Sequence, residues 1–275
     1  MSRKAGLAKK IAHTLMAMSI VYSSGINIVI NEAYAAEKTV DITNSSGGTR
    51  FEETGKDGAD FTSGGKITDG ESASIVGIIK DDTFTNAISV TAKGGNGGDD
   101  DDRDHPTVME GSKGGDAFAK VTVDESKNNV ALGNITVKAT GGSQGSTYMG
   151  KGQLSGAAAA YGLEVKHDLT INAQKITVES SSIAQDEDIV DTGSGKRKDV
   201  LAVGLQIDSG NVKFSGTGGI EIDAQNEYYS RSFRGDIKMA DIKDALLSDG
   251  GDTEAYGIRI AAVSYTHLTL PTNSL

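Results

Sequence analysis

The sequence contains no cysteine and no tryptophan, has only two prolines among 275 residues, and is 5% aromatic. The lack of cysteine excludes the disulfide-stapled design of many small secreted domains. The scarcity of aromatic residues argues against a conventional globular core of this size, since such residues supply much buried area. Positive charge is also scarce, with a formal net charge of -11. We therefore expect no nucleic-acid partner, because phosphate neutralisation needs clustered Lys and Arg.

The sequence is rich instead in glycine, with 36 residues, and it places its apolar residues in short alternating runs. High glycine with few aromatics is typical of a disordered chain or of a repetitive β structure with many tight turns. Disordered chains rarely alternate apolar and polar residues with a period of two. The pattern therefore favours an all-β, repetitive fold.

A short apolar strand with a small central residue recurs along the chain at spacings of 42, 43, 42 and 53 residues. The central residues are Gly77, Ala119, Gly162, Gly204 and Gly257. After each of the first four comes a second strand of the form Ile-x-Val/Ile-x-small, often ending in Gly-Gly. One unit of about 42 residues cannot bury its apolar face alone, so stacking predicts a β-solenoid (β-helix) over 72–262, with long polar loops. The alternative is a β-sandwich, which needs no such repeat.

The first 35 residues have the layout of a secretory signal. Four basic residues precede an apolar stretch from about residue 11 to residue 30, and Ala33-Tyr34-Ala35 supplies a small-residue cleavage site. A membrane anchor is the alternative, but Ser23-Ser24-Gly25 interrupts the stretch. We expect residues 1–35 to be a signal peptide, the mature chain to be exported, and residues 36–71 to form a weakly structured N-terminal cap region.

Two segments near the C-terminus depart from the repeat. The sequence predicts a short surface helix over residues 237–248, because Asp236 can cap the start of this helix and Gly250 can end it. Residues 263–275 begin with VSYTHLTLPT, which is similar to a translation of the adaptor used in transposase-based DNA sequencing. We expect this tail to be non-native and the natural chain to continue after Ala262.

Together, the long signal sequence, the cysteine-free, acidic, glycine-rich repeats and the open C-terminus resemble the passenger domain of a bacterial type V autotransporter. The resemblance covers about residues 1–262 and is one of architecture and composition. It implies a β-helical, adhesin-like passenger at the cell surface, on the outer membrane or outside the cell. The implied partners are host or neighbouring-cell surface components and an outer-membrane β-barrel in the missing C-terminal part. A solenoid adhesin of the two-partner secretion type shares these properties and is the alternative.

Catalytic chemistry has little support in the sequence. Only His105 and His167, of four histidines, lie in the mature natural region, so few candidates for a catalytic base are present. A β-helical enzyme acting on polysaccharides is a further alternative, but no residues identify its cleft. We expect no enzymatic activity and no cofactor.

An acidic run offers hard oxygen ligands of the kind that Ca²⁺ prefers. Its residues are Asp99, Asp100, Asp101, Asp102 and Asp104. The run lacks the alternate-position spacing and the glutamate of a calcium loop, so a solvated, self-repelling loop is the alternative reading.

The most aromatic stretch of the chain leads into an Arg-Gly-Asp tripeptide, the sequence that integrins bind. Its candidate partner-binding residues are Tyr228, Tyr229, Phe233, Arg234, Gly235 and Asp236. Exposed aromatics together with Arg are enriched at protein interfaces. The alternative is that these aromatics pack the predicted helix onto the solenoid.

Overall fold

The structure of the 275-residue chain is a computed structural model. It describes residues 36–44, 49–60, 66–99, 112–145, 155–184, 199–215, 220–230 and 253–260. Within these residues the chain forms fifteen β-strands and no helix. The signal segment 1–35, the predicted helix 237–248 and the tail 263–275 lie outside the described residues. Among the described residues, no helix has the length and apolarity needed to span a membrane.

The strands form three sheets, and all their pairings are parallel. The first sheet contains β1 (Lys38–Ile42), β3 (Ala73–Ile79), β6 (Ala117–Val123), β9 (Ala158–Val165), β12 (Val200–Ile207) and β15 (Thr253–Ile260). The second contains β4 (Thr83–Phe84), β7 (Asn129–Leu132), β10 (Leu169–Ala173) and β13 (Val212–Phe214). The third contains β2 (Arg50–Thr54), β5 (Ile88–Lys93), β8 (Ile135–Gly141), β11 (Lys175–Ala184) and β14 (Glu221–Ser230).

From β3 onward the chain visits the three sheets in turn, and each strand pairs with the strand three places later. We name one such passage a unit: β1–β2 is unit 1, β3–β5 unit 2, β6–β8 unit 3, β9–β11 unit 4 and β12–β14 unit 5, while β15 opens the next. The molecule is therefore all-β, as predicted, and its parallel sheets are consistent with a β-helix.

The core lies between the sheets and is built from β-branched and small aliphatic side chains. In β5, Ile88, Val90 and Ala92 are buried and the residues between them are not, so alternate side chains face inward. Phe84 is the largest fully buried side chain of the described residues. A narrow space filled in this way needs few aromatic residues.

The predicted equivalence of the five small central residues is right for three of them and wrong for Ala119, which pairs with Ile75 and Ala160. The three that lie side by side in the first sheet are Gly162, Gly204 and Gly257. Gly77 instead pairs with Val121, two residues beyond Ala119. The pairing of β6 with β9 also skips a residue between Lys120 and Thr122, and such a bulge shifts any alignment made from sequence spacing.

Residues 36–71, predicted to be a weakly structured cap region, contribute β1 and β2, which pair with β3 and β5. Charged side chains line the outer edge of this unit. Lys38 Nζ lies 2.6 Å from Glu53 Oε2, and Arg50 pairs with Glu52. Charges of this kind discourage pairing of an open sheet edge with another strand.

Candidate interaction surface

The predicted calcium run is only partly described. The backbone N–H of Asp99 donates to Asp60 Oδ1 at 2.9 Å. Outside the described residues lie Asp100, Asp101, Asp102 and Asp104. Among the residues that the structure describes, no group of three or more His, Cys, Asp and Glu side chains is placed to hold a metal ion. The calcium site stays a prediction.

The candidate partner-binding residues are also only partly described. Tyr228 and Tyr229 lie in β14, at the edge of the third sheet, where their backbones pair with Ser182 and Ile183. Outside the described residues lie Phe233, Arg234, Gly235 and Asp236. The partner role of this stretch, including its Arg-Gly-Asp tripeptide, also stays a prediction.

Part of what was predicted as polar loops is an ordered hydrogen-bonded array, which we name the glycine bundle. It has outgoing segments, which leave the third sheet, and returning segments, which lead back to the first sheet. The outgoing segments are 55–60, 94–99 and 141–145, and the returning segments are 66–72, 112–116 and 155–157. The bundle continues each of the first three units beyond the edge of the sheets.

The outgoing segments follow a three-residue pattern. After β5 the chain reads Gly94-Gly95-Asn96 and Gly97-Gly98-Asp99. The matching triplets after β2 are Gly55-Lys56-Asp57 and Gly58-Ala59-Asp60. In unit 3 the first triplet is Gly141-Gly142-Ser143, which begins at the last residue of β8. A period of three is that of the extended polyproline II helix, in which every third residue faces the same direction.

Each position of a triplet has its own hydrogen-bond partner. The N–H of Gly94 donates to a backbone carbonyl of the next unit at 2.9 Å, and that of Gly95 donates to Glu71 O of a returning segment, also at 2.9 Å. The N–H of Asn96 donates to Asp57 Oδ1 of the preceding unit at 2.7 Å. The triplet that follows repeats all three contacts. The pattern pairs every N–H of this segment without forming a β-sheet.

In the triplet Gly94-Gly95-Asn96 the first two positions require glycine, because neighbouring backbone lies in contact with them. A Cβ on Gly94 would lie 1.9 Å from Gly115 O, and a Cβ on Gly95 would lie 2.0 Å from Lys56 O. Second-position glycines thus face the preceding unit. In unit 1 the second-position residues are Lys56 and Ala59, and the described residues hold no earlier segment for their side chains to meet.

At the corresponding position, unit 4 has serine residues in place of the glycines. β11 runs past the end of β8, with Ser182 in register with Gly141. Ser182 Oγ donates to Gly156 O at 2.7 Å and lies 2.8 Å from Ser155 Oγ. Ser180 Oγ bonds a neighbouring backbone carbonyl at 3.0 Å. The serine hydroxyl groups thus donate hydrogen bonds to backbone carbonyls of the returning segment and of β9.

On its face away from the core, the first sheet carries a second buried layer. Its buried apolar residues are Ala159, Tyr161, Leu201 and Val203, with Phe118 and Tyr256 packed against them. The ring centroids of Phe118 and Tyr161 lie 5.8 Å apart. Lys120 Nζ lies 5.5 Å from the Phe118 ring centroid, within the range of a cation–π contact.

A group of charged and polar residues, which we name the outer cluster, adjoins this layer. Its residues are Lys120, Glu164, Lys166, Gln206 and Asp208. Lys120 Nζ and Lys166 Nζ each lie 3.0 Å from Glu164 Oε2, and the Lys120 and Glu164 side chains are only 7% and 9% exposed. Burial acts to raise the pKa of Glu164, but the two ammonium groups outweigh it and hold that pKa below its usual value.

The second carboxyl group of the outer cluster is shifted in the opposite direction. Burial raises the pKa of Asp208, and the nearby charge of Glu164 adds to the increase. Gln206 Nε2 donates to Asp208 Oδ1 at 2.7 Å, which offsets part of it. The two carboxyl groups of the outer cluster therefore have pKa values shifted in opposite directions.

Sequence reasoning missed both features, and only one of them had a visible signal. The triplets stand in the sequence as GKDGAD, GGNGGD and GGSQGS, each at the end of the last strand of a unit. The outer cluster joins residues from three different units, and Glu164 meets Gln206 only through the register of β9 with β12. No local sequence motif indicates the outer cluster.

Comparison of the chain with protein-family models, with curated proteins and with solved structures gives no match.

Proposed function

We propose that this chain is the N-terminal part of an exported, non-enzymatic surface protein of the autotransporter passenger kind. Its described residues form a β-solenoid that serves as a scaffold for adhesion to host or neighbouring-cell surfaces. A two-partner secretion adhesin is the second form of the same proposal, since it uses the same scaffold with a separate transporter.

The observation that carries the proposal is the linear order of the sheets. Within the described residues, units 2 to 5 pair with one another in chain order in all three sheets, unit 1 extends the first and third sheets, and β15 extends the first. Such a stack grows by about 4.8 Å per unit, so added units lengthen the molecule without changing its cross-section. A long scaffold of this kind suits presentation of surfaces far from a membrane better than it suits enclosure of a substrate.

The last described strand supports the further proposal that more units follow in the natural protein. Ile258 and Ile260 of β15 are 50% and 55% exposed. Their partners in β12 are Leu205, which is fully buried, and Ile207, which packs against the core. A following unit would cover β15 in the way that β15 covers β12.

Export and surface exposure test the proposal. The natural full-length gene is expressed in its own bacterium with an epitope tag after Val190, and intact cells are treated with an external protease. We expect the tag to be lost from intact cells, and we expect cells without the gene to adhere less to host or partner cells. The matched control lacks residues 1–35 and should keep its tag. Protection of the tag in the full chain would contradict export to the surface.

Genomic sequence beyond the Ala262 codon separates the two forms of the proposal. An autotransporter requires a C-terminal run of alternating strands of about ten residues each. A two-partner adhesin instead ends in further solenoid units, beside a separate transporter gene. A genomic sequence that encodes Ser264-Tyr265-Thr266-His267 in place would contradict the adaptor origin of the tail.

A further inference from the structure

We propose that Asn96 is a site of spontaneous deamidation that the folded glycine bundle protects, so that modification at this position marks chains that have stayed unfolded. Asn96-Gly97 is the only Asn-Gly pair in the sequence. A glycine after asparagine has no Cβ to shield its backbone nitrogen, so this pair is the one expected to react fastest in an unfolded chain. The inference does not depend on the adhesive function proposed above.

The reaction needs a free backbone nitrogen on Gly97. That nitrogen loses its proton and attacks Asn96 Cγ, a C–N bond forms, and the side-chain amide nitrogen leaves as ammonia. Water then opens the resulting cyclic imide at one of its two carbonyl carbons. One opening gives aspartate. The other gives isoaspartate, in which the main chain runs through the former side chain and is one atom longer.

In the folded chain, hydrogen bonds hold both sides of the peptide group that joins Asn96 to Gly97. The Gly97 N–H donates to Ser143 O of unit 3 at 2.8 Å, and the Asn96 carbonyl accepts from Gly58 N of unit 1 at 2.7 Å. Attack would require this group to rotate away from both partners. Because the peptide group lies between two units, we expect reaction only after the bundle opens locally.

The side chain that would be attacked is also held. Asn96 Oδ1 accepts from Ser143 N at 3.1 Å and from Ser143 Oγ at 2.9 Å. Gly97 is buried, and a Cβ placed on it would lie 2.4 Å from Ser112 Oγ. The pair therefore has little room for the movement that closure of the imide ring requires.

The two products have different consequences for the glycine bundle. Aspartate keeps the acceptor oxygen, and the same triplet position already holds aspartate in Asp57, Asp60 and Asp99. Isoaspartate adds a main-chain atom before Gly97 and moves the hydrogen bonds that follow out of register. A chain that acquires isoaspartate before it folds should therefore be unable to complete the bundle.

Deamidation of the purified full chain in native buffer and in urea, at the same mildly alkaline pH, tests the proposal. Mass spectrometry of the tryptic peptide 94–103 measures the loss of asparagine, and chromatography of this peptide separates aspartate from isoaspartate. We expect the reaction to be at least about tenfold slower in native buffer, since it then requires local opening. Equal rates in the two buffers, or no reaction in urea, would overturn the proposal.

The matched control is Asp57→Asn, which places a second Asn-Gly pair in unit 1. The Gly58 N–H of this pair donates to Asn96 O at 2.7 Å, but the described residues hold no unit on its other side. We expect the new pair to react at a similar rate to Asn96 in urea and faster than Asn96 in native buffer. A slower reaction of the new pair in native buffer would contradict protection by the two flanking units.

Refolding tests the consequence of the two products. After urea is removed, chains with aspartate at this position should regain the parent's resistance to a nonspecific protease within residues 94–99, and chains with isoaspartate should stay sensitive. Equal resistance of the two products would show that the bundle tolerates the extra main-chain atom, and the modification would then not mark unfolded chains.

Discussion

The glycine bundle and the strand β11 continue the third sheet in different ways. Beyond β5 and β8 the third sheet gives way to the glycine triplets, whereas β11 continues as a ten-residue strand paired along its whole length with β14. In the glycine bundle, two layers of backbone lie in direct contact and their peptide groups bond one another. In β11, the hydroxyls of Ser180 and Ser182 bond the carbonyls of the same returning side. Glycine is therefore needed where backbone packs on backbone, and serine suffices where a side chain can reach across.

The largest expected effect comes from adding one methyl group inside the glycine bundle. We expect Gly98→Ala to lower the free energy of unfolding by about 3 kcal/mol, because the new Cβ would lie 2.0 Å from Ala59 O. Urea unfolding measures the change. Ala59 occupies the same triplet position in unit 1, so the matched control Ala59→Gly should cost no more than about 1 kcal/mol. Equal stability of Gly98→Ala and the parent would refute the triplet pattern.

The serine region should be less sensitive. We expect Ser182→Ala to cost about 2 kcal/mol, because Gly156 O and Ser155 Oγ lose a buried partner 2.7 and 2.8 Å away. The same urea experiment measures it. Ser181→Ala is the control, since its hydroxyl makes one longer contact of 3.2 Å with Thr140 Oγ1. A larger loss for Ser181→Ala would show that the hydroxyl bonds to the returning segment are unimportant.

The smallest expected effect tests the third position of the triplet. Asp57 accepts from the backbone N–H of Asn96, and Asn96 accepts in the same way from Ser143. If the acceptor atom matters and the charge does not, Asp57→Asn should match the parent while Asp57→Ala loses about 0.5 kcal/mol. Urea midpoints at neutral pH distinguish the two. Equal losses for both variants would mean that the carboxylate charge is essential.

The strands, in which apolar and polar residues alternate with a period of two, could be predicted from the sequence. The register between neighbouring strands could not. Alternation identified the strands, and the repeat predicted that the units stack. The equivalence of Gly77 with Ala119 failed because cross-strand packing sets the register of β3 with β6, and the pairing of β6 with β9 separately skips a residue between Lys120 and Thr122. Spacing along the chain does not report such a skip.

The candidate surfaces were harder to predict for a different reason. A triplet pattern of six residues is short, and its glycines and carboxylates have the composition of a loop. Its order becomes visible only when the triplets of three units are placed side by side. The outer cluster depends on Glu164 and Gln206 meeting across units. Their partners are Lys120 of β6 and Asp208, which directly follows β12. Charge composition alone cannot distinguish such a cluster from solvated residues.

The glycine bundle also gives the molecule two kinds of folded interior with different responses to temperature. Unfolding the apolar core exposes hydrocarbon, which raises the heat capacity, whereas unfolding the glycine bundle exposes mainly peptide groups, which lowers it. Cooling weakens the burial that holds the core together but does not weaken the peptide contacts of the bundle in the same way. The two interiors therefore have their greatest stability at different temperatures, and joining them in one chain flattens its stability curve.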